Sequence, residues 1–240
     1  MSISTISSQY TGSTALTRKS VFVVDDHPVV RDGYARMITN QADLEMAGES
    51  GDGVQALEMI AAAQPDLVLV DLSLKSGNGI DLCKQIHDAF PQIKLLVVSM
   101  HDEMLYAERV LRAGAAGYIN KTEATRKLIE AIREVLGGKY YLSEKMRERM
   151  LTRAVGVDGL GDESPIERLS ERELEVFELI GAGMTTREIA TKLELSPKTI
   201  ESYRENLKAK LNLANSTELT RHAVHWVLEQ AQQEEQAPQE

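Results

Sequence analysis

Pro65-Asp-Leu-Val-Leu-Val-Asp-Leu-Ser-Leu-Lys-Ser-Gly-Asn-Gly79 runs from an apolar segment through a carboxylate into a turn-forming one. Leu67 to Val70 is an unbroken apolar run of the length that suits a strand buried on both faces of a parallel sheet. The run stops at Asp71. Ser73, Lys75, Ser76, Gly77, Asn78 and Gly79 follow, and their turn chemistry forbids further strand. Asp71 is thereby placed at the carboxyl end of a central strand, where open α/β sheets bind their ligands. A lone strand-end aspartate is commonly a turn former, so the reading depends on what the other strand ends carry.

Working outward, Val21 to Val24 is a second apolar strand, and it too ends in carboxylates, Asp25 and Asp26. His27-Pro28 opens a helix to about Asn40, with Pro where a missing N–H costs nothing. Leu44 to Glu49, Ile93 to Ser99 and Ala116 to Ile119 read as strands, the last running into Asn120-Lys121. Helices are expected over Val54–Ala63, Ile80–Ala89, Glu103–Arg112 and Ala124–Leu136. Five strands alternating with five helices predict an α/β domain, a parallel sheet covered on both faces.

Beyond Gly138 the character changes. Tyr140 to Arg153 is charged and in part helical, and Val155 to Ser164 is rich in Gly and Asp, so residues 139–165 read as a linker. From Leu169 only helical periods remain. Ser170-Glu-Arg-Glu173 has the form of a capping box, Thr186–Leu193 is a short helix, Ser196-Pro197 caps a helix to about Leu211, and Thr217–Gln230 is the last. This predicts an all-α four-helix domain over 166–230. Residues 1–19 read as a mobile tail and 231–240 as a disordered acidic tail.

The 240 residues suffice for two domains with their own cores. The net charge of −10 argues against coating nucleic acid or membrane by bulk electrostatics. The single Cys83 excludes an intrachain disulfide and reads as a small apolar helix residue. No apolar run spans a bilayer and no signal peptide opens the chain, so a cytoplasmic protein without membrane contact is expected.

In a doubly wound sheet, Asp25 and Asp26, Asp71, Ser99 and Lys121 share one edge. Clustered carboxylates require a compensating cation, and hard oxygens suit Mg²⁺. A carboxylate beside such a cation and a lysine can attack phosphorus. Val23-Val-Asp-Asp-His-Pro28, Pro65 to Asp71, Val98-Ser-Met-His-Asp102 and Gly117-Tyr-Ile-Asn-Lys121 resemble the receiver domain of bacterial response regulators over roughly residues 20–138. The resemblance implies a flavodoxin-like sheet of order 2-1-3-4-5. It also implies that a histidine kinase phosphorylates Asp71, and that Asp25, Asp26, Asp71 and the Ser73 carbonyl hold Mg²⁺. Lys121 would pair with the phosphoryl oxygens, Ser99 would turn toward one, and Tyr118 would be the rotamer switch. Two residues depart from the family pattern: Lys75 stands where Pro is usual, and Met100 where Ala is commoner. His27 and His101 read as exposed loop residues, and His222 and His225 as helix-surface residues.

Between Ser196 and Asn212 four cations stand against two carboxylates, a local positive excess in an acidic chain. A charge count of this size also fits an ordinary solvated helix face. Leu169 to Glu173, Gly183 to Ala190 and Ser196 to Leu213 look like the LuxR/FixJ-type helix-turn-helix, over about residues 166–228. The resemblance implies that the helix from Pro197 to Lys210 enters the major groove of double-stranded promoter DNA. Lys198, Thr199, Arg204, Asn206, Lys208 and Lys210 are the DNA-facing candidates, with Glu201 and Ser202 meeting bases. Tyr203 replaces a common His. Thr217–Leu228 would form a homodimer surface for two half-sites, and RNA polymerase is a further partner of such a regulator. The whole chain thus resembles a NarL/FixJ-type response regulator, a transcription factor rather than an enzyme. Two rivals are an aspartyl phosphatase, disfavoured because Ser73 stands where the second Asp belongs, and a phosphorylation-independent regulator that uses the receiver only to dimerise.

Overall fold

The computed structural model describes residues 18–74, 78–155 and 165–236, with side chains through residue 229. Its first unit is a five-stranded parallel sheet of order β2-β1-β3-β4-β5, as expected. The strands are β1 (Lys19–Val24), β2 (Leu44–Ser50), β3 (Leu67–Val70), β4 (Lys94–Ser99) and β5 (Gly117–Asn120). The crossovers are α1 (Pro28–Thr39), α2 (Gly53–Ala63), α3 (Gly79–Ala89) and α4 (Glu103–Arg112), and α5 (Lys121–Leu136) follows β5. β3 is central, with Leu69 paired to Val23 on one side and Leu96 on the other.

Strand side chains alternate between faces, so an unbroken apolar run feeds two cores at once. Val21, Val23, Leu67, Leu69, Leu96, Val98 and Ile119 pack with Tyr34 and Ile38 of α1 and Leu128 and Ile132 of α5. Phe22, Val24, Val68, Val70, Leu95 and Val97 pack on the other face with residues of α2, α3 and α4. All four residues of β3 are buried, each contributing roughly 1.5–3 kcal/mol of transfer free energy.

β1 begins earlier than the sequence suggests. Lys19 lies inside the stretch read as a tail and Ser20 just ahead of the expected strand, but both bond to the Asp66 carboxylate, which extends the strand. Residues 1–17 lie outside the described residues. α5 also begins early, at Lys121, because the Asn120 side chain caps the Thr122 N–H at 2.9 Å and β5 passes straight into helix.

The stretch read as linker holds a helix, α6 (Glu144–Val155), in addition to irregular chain. Met146 and Leu142 are buried with the α4 side of the sheet. Arg149 and Arg153 both reach Glu167, and Arg153 also reaches Glu108 on α4. Residues 156–164 lie outside the described residues.

A 3₁₀ turn (Pro165–Arg168) leads into four helices, α7 (Glu171–Gly181), α8 (Thr186–Lys192), α9 (Pro197–Lys210) and α10 (Ser216–Gln236). The Ser170–Glu173 capping box forms as expected. Thr185 and Glu188 form a second one at the start of α8. α10 passes close against the end of α7 because Gly181 has no Cβ; one there would meet the Ala223 carbonyl at 2.5 Å. α10 also overruns its expected end at Gln230, so residues 231–236 are helical rather than part of a disordered tail. Gln, Glu and Ala are good helix formers, and extending a formed helix avoids the cost of nucleation.

Candidate functional site

Three strand ends converge as the alternation requires. Asp25, Asp26, Asp71 and Ser99 are all buried. The chain leaves β1 pinned by the Asp25 N–H donating to Ser50 O, and leaves β3 pinned by the Asp71 N–H donating to Val24 O. After Asp71 the loop must return tightly, since α3 starts against it. A Cβ at Gly79 would lie 2.3 Å from the Asp71 carbonyl oxygen, so glycine is required for this approach. Lys75 and Ser76, which mark the departure from the family pattern, lie outside the described residues.

Lys121, at the first position of α5, has a side chain only 12% exposed. Its Nζ donates to Asp25 Oδ2 at 2.7 Å and to Asp71 Oδ2 at 2.8 Å. Burial alone would lower the ammonium pKa, but the two carboxylates outweigh it and hold Lys121 above its usual value. Burial pushes the Asp71 carboxyl upward, against the lowering effect of the Lys121 bond. Asp71 Oδ1 accepts from the Ser73 N–H, and Asp25 Oδ1 from the His27 N–H.

Ligand atoms of Asp25, Asp26, His27 and Asp71 lie within 4.8 Å of one another. The carboxylates are hard oxygens on a shared buried edge with one lysine among them, a donor set that fits Mg²⁺. His27 is 62% exposed, as expected, with Nδ1 2.7 Å from Asp26 Oδ1.

Tyr118 is buried and donates its hydroxyl to the His101 carbonyl. The Ser99 hydroxyl accepts from the His101 N–H at 3.2 Å. Met100, next in the chain, is 46% exposed. His101 corrects the sequence reading: it is half-buried rather than exposed, because α7 packs over its loop, and its ring stacks on Tyr106. Arg31 was also missed. Its guanidinium donates to the Asp25 carbonyl at 2.7 Å and to Glu49, bracing the acidic loop from α1. Nothing in its spacing distinguishes it from a solvated helix arginine.

In the helical unit, Ile200 and Leu207 turn α9 toward α7, α8 and α10. Lys198, Ser202 and Asn206 point away and are exposed. Thr199, Arg204 and Lys208 lie at the flanks, and Tyr203 packs partly against the core. Glu201 accepts from Thr186 of α8, Lys208 pairs with Glu205, and Lys210 donates to the buried capping carboxylate Glu173 at 2.6 Å. His222 and His225 are exposed, as expected.

Residues 21–133 match the response regulator receiver domain family, and residues 167–223 the LuxR family of bacterial regulatory proteins. The chain is 37% identical over 208 residues to the oxygen regulatory protein NreC of Staphylococcus carnosus, covering 85% of this chain and 96% of that one. RcsB of Salmonella enterica serovar Typhimurium, solved on promoter rprA with the phosphomimetic BeF₃⁻, is 27% identical. It superposes with a TM-score of 0.63 over 87% of this chain and 99% of that one. A second RcsB structure, described by its conformational dynamism for DNA interaction, has a TM-score of 0.66 at 26% identity, over 87% and 98% of the two chains. Among the described residues no helix is long and apolar enough to cross a membrane.

Proposed function

Because this chain belongs to the LuxR family of bacterial response regulators, we propose that Asp71 accepts a phosphoryl group from a histidine kinase and so controls the binding of α9 to promoter DNA. The observation that carries this reading is the Lys121 ammonium bonded to Asp25 and Asp71 together, at the meeting of three strand ends.

An Asp71 carboxylate oxygen attacks phosphorus; the P–N bond of the kinase phosphohistidine breaks, and the imidazole leaves with the electron pair and takes up a proton. The product is an acyl phosphate. Mg²⁺, held by Asp25, Asp26, Asp71 and the Ser73 carbonyl, would supply positive charge for the phosphoryl oxygens. Lys121 provides a second cation already oriented, without side-chain reorganisation when the anion arrives. Ser99 then turns its hydroxyl to a phosphoryl oxygen and leaves the His101 N–H, and Tyr118 follows.

The added charge, about −1.5 to −2 at neutral pH, biases the receiver between two arrangements. Because Lys198, Ser202 and Asn206 are already exposed, uncovering α9 is not required. Phosphorylation instead sets the pairing and orientation of two helix-turn-helix units, as a homodimer on two half-sites of the promoter demands. α10 carries the pairing surface, where Leu228 is exposed. Contact with RNA polymerase would follow from that placement.

Incubation with a small phosphodonor and Mg²⁺ should give one acyl-phosphate adduct on Asp71, located by mass spectrometry and absent in Asp71→Asn. DNA sites selected from a random pool by the phosphorylated protein then provide the binding assay. If Asp71→Ala bound those sites as tightly as phosphorylated wild type, the switch reading would fail.

A further inference from the structure

The residues of the switch and the helical unit meet at one place. The His101 backbone bonds to Ser99 through its N–H and to Tyr118 through its carbonyl. Its imidazole faces two ways. Nε2 lies 3.0 Å from Ser73 Oγ, two residues beyond Asp71, and Nδ1 lies 3.5 Å from Glu178 Oε1 on α7. The ring stacks on Tyr106 with centroids 4.6 Å apart, and the Tyr106 hydroxyl donates to that same Glu178 oxygen at 2.8 Å. Glu178 is held in little water, its side chain 18% exposed. A carboxylate so placed depends on its few partners, because leaving one unmet costs the full desolvation of the charge.

The other polar ties between the units lie at the first residue of α7 or before it, with Arg149 and Arg153 held on Glu167 of the 3₁₀ turn. Lys84–Glu171 is a solvent-exposed pair between long side chains, the class of contact that contributes little. Arg109 bonds to the Glu167 carbonyl, which belongs to the 3₁₀ turn and not to α7.

We infer that His101 is the positioning residue through which the state of Asp71 reaches α7: its imidazole, with Tyr106, holds Glu178 while Ser99 and Tyr118 hold its backbone. This inference rests on the proposed phosphorylation of Asp71. Once Ser99 and Tyr118 turn, their bonds to the His101 backbone are withdrawn and its carbonyl keeps the longer bond from Asn120 Nδ2 at 3.4 Å. So loosened, the ring and the stacked Tyr106 lose their aim at Glu178. Charge acts in the same direction. A space of about 170 Å³ beside Asp26 and Ser73 is walled by Glu171, Glu175 and Glu178 of α7, with Lys192 of α8 as a cation in its lining. A phosphoryl group on Asp71 brings further negative charge toward that wall.

Amide hydrogen exchange on the full chain tests this, with the Asp71 adduct measured by mass on the same samples. In the wild type, α7 and α4 amides should exchange roughly tenfold faster once the adduct forms, as expected for losing a charge-assisted contact. Tyr106→Phe and Glu178→Ala should show that faster exchange without phosphodonor. His101→Ala should show it too, and should gain nothing further when the adduct forms. The His101→Ala, Glu178→Ala double variant should be no faster than either single one. Wild-type protection at rest in His101→Ala, or a full phosphate response in it, would overturn the inference. If β4 and β5 amides show that His101→Ala has unfolded, Tyr106→Phe, which loses one hydroxyl, decides by the same criteria. If no adduct forms in the wild type, the reading of Asp71 fails, and the resting exchange of the variants still decides whether His101 holds α7.

Discussion

Lys121 serves two buried carboxylates with one charge, and its loss leaves Asp25 and Asp71 facing each other without a cation. Lys121→Ala should therefore form the acyl phosphate at least about tenfold more slowly, the worth of one preorganised charge, as followed by adduct mass against time. Its thermal midpoint should also gain more from added Mg²⁺ than the wild type does, because a ligand that binds only the folded state stabilises it; chelation should reverse the gain. Met100 makes a separate claim. It follows the switch serine and exposes a long side chain, and we propose that this side chain would shield a phosphoryl group on Asp71 from water. Met100→Ala should shorten the acyl-phosphate lifetime, and an unchanged lifetime would remove that role. Asp25, Asp26, Asp71, Ser99 and Lys121 were legible because each stands where an apolar run ends, and topology gathers strand ends. His101 was not legible, since its burial comes from a helix more than seventy residues away packing over its loop.

The sequence marks the start of α7 with Ser170 and Glu173, and Ser170→Ala should cost about 1 kcal/mol on chemical denaturation through the lost cap. The same box bears on DNA binding. Lys210, a candidate phosphate contact by its charge, is committed to Glu173 inside the helical unit, whereas Lys198 is exposed at the start of α9. Lys198→Ala should flatten the salt dependence of DNA binding by about one ion, and Lys210→Ala should change stability more than the salt slope. Charge type is visible in a sequence, but the partner a lysine has already taken is not. α6 was hard to read for a related reason. Its buried residue is Met146, and the rest of its docking relies on Arg149 and Arg153, which look like solvated positions until Glu167 is placed beside them.

At the scale of the whole molecule, α7 docked on the receiver buries Glu178. Burial foremost, with Glu175 beside it, raises its carboxyl to about 7, against the lowering effects of Tyr106 and Arg109. Its facing groups are Tyr106, Arg109 and His101 of the receiver and Glu175 of α7. Released into solvent, Glu178 returns to the ordinary carboxylate range, so the docked form favours the proton. Docking is therefore strongest below the free value and weakens as pH rises through about 7. Exchange of α7 amides, corrected for intrinsic rates, should accelerate between pH 6 and pH 8, and Glu178→Gln should remove that dependence. The sheet has one more consequence. The apolar cluster against α1 and α5 holds, among the described residues, no member of α7 to α10, whereas the cluster on the other face also takes in Leu174, Phe177 and Ile200. A protein seated on the α1–α5 side presses on a layer that stops at the sheet. Contact on that side therefore meets, among the described residues, no apolar core residue of the helical unit, while the opposite face shares its core with it.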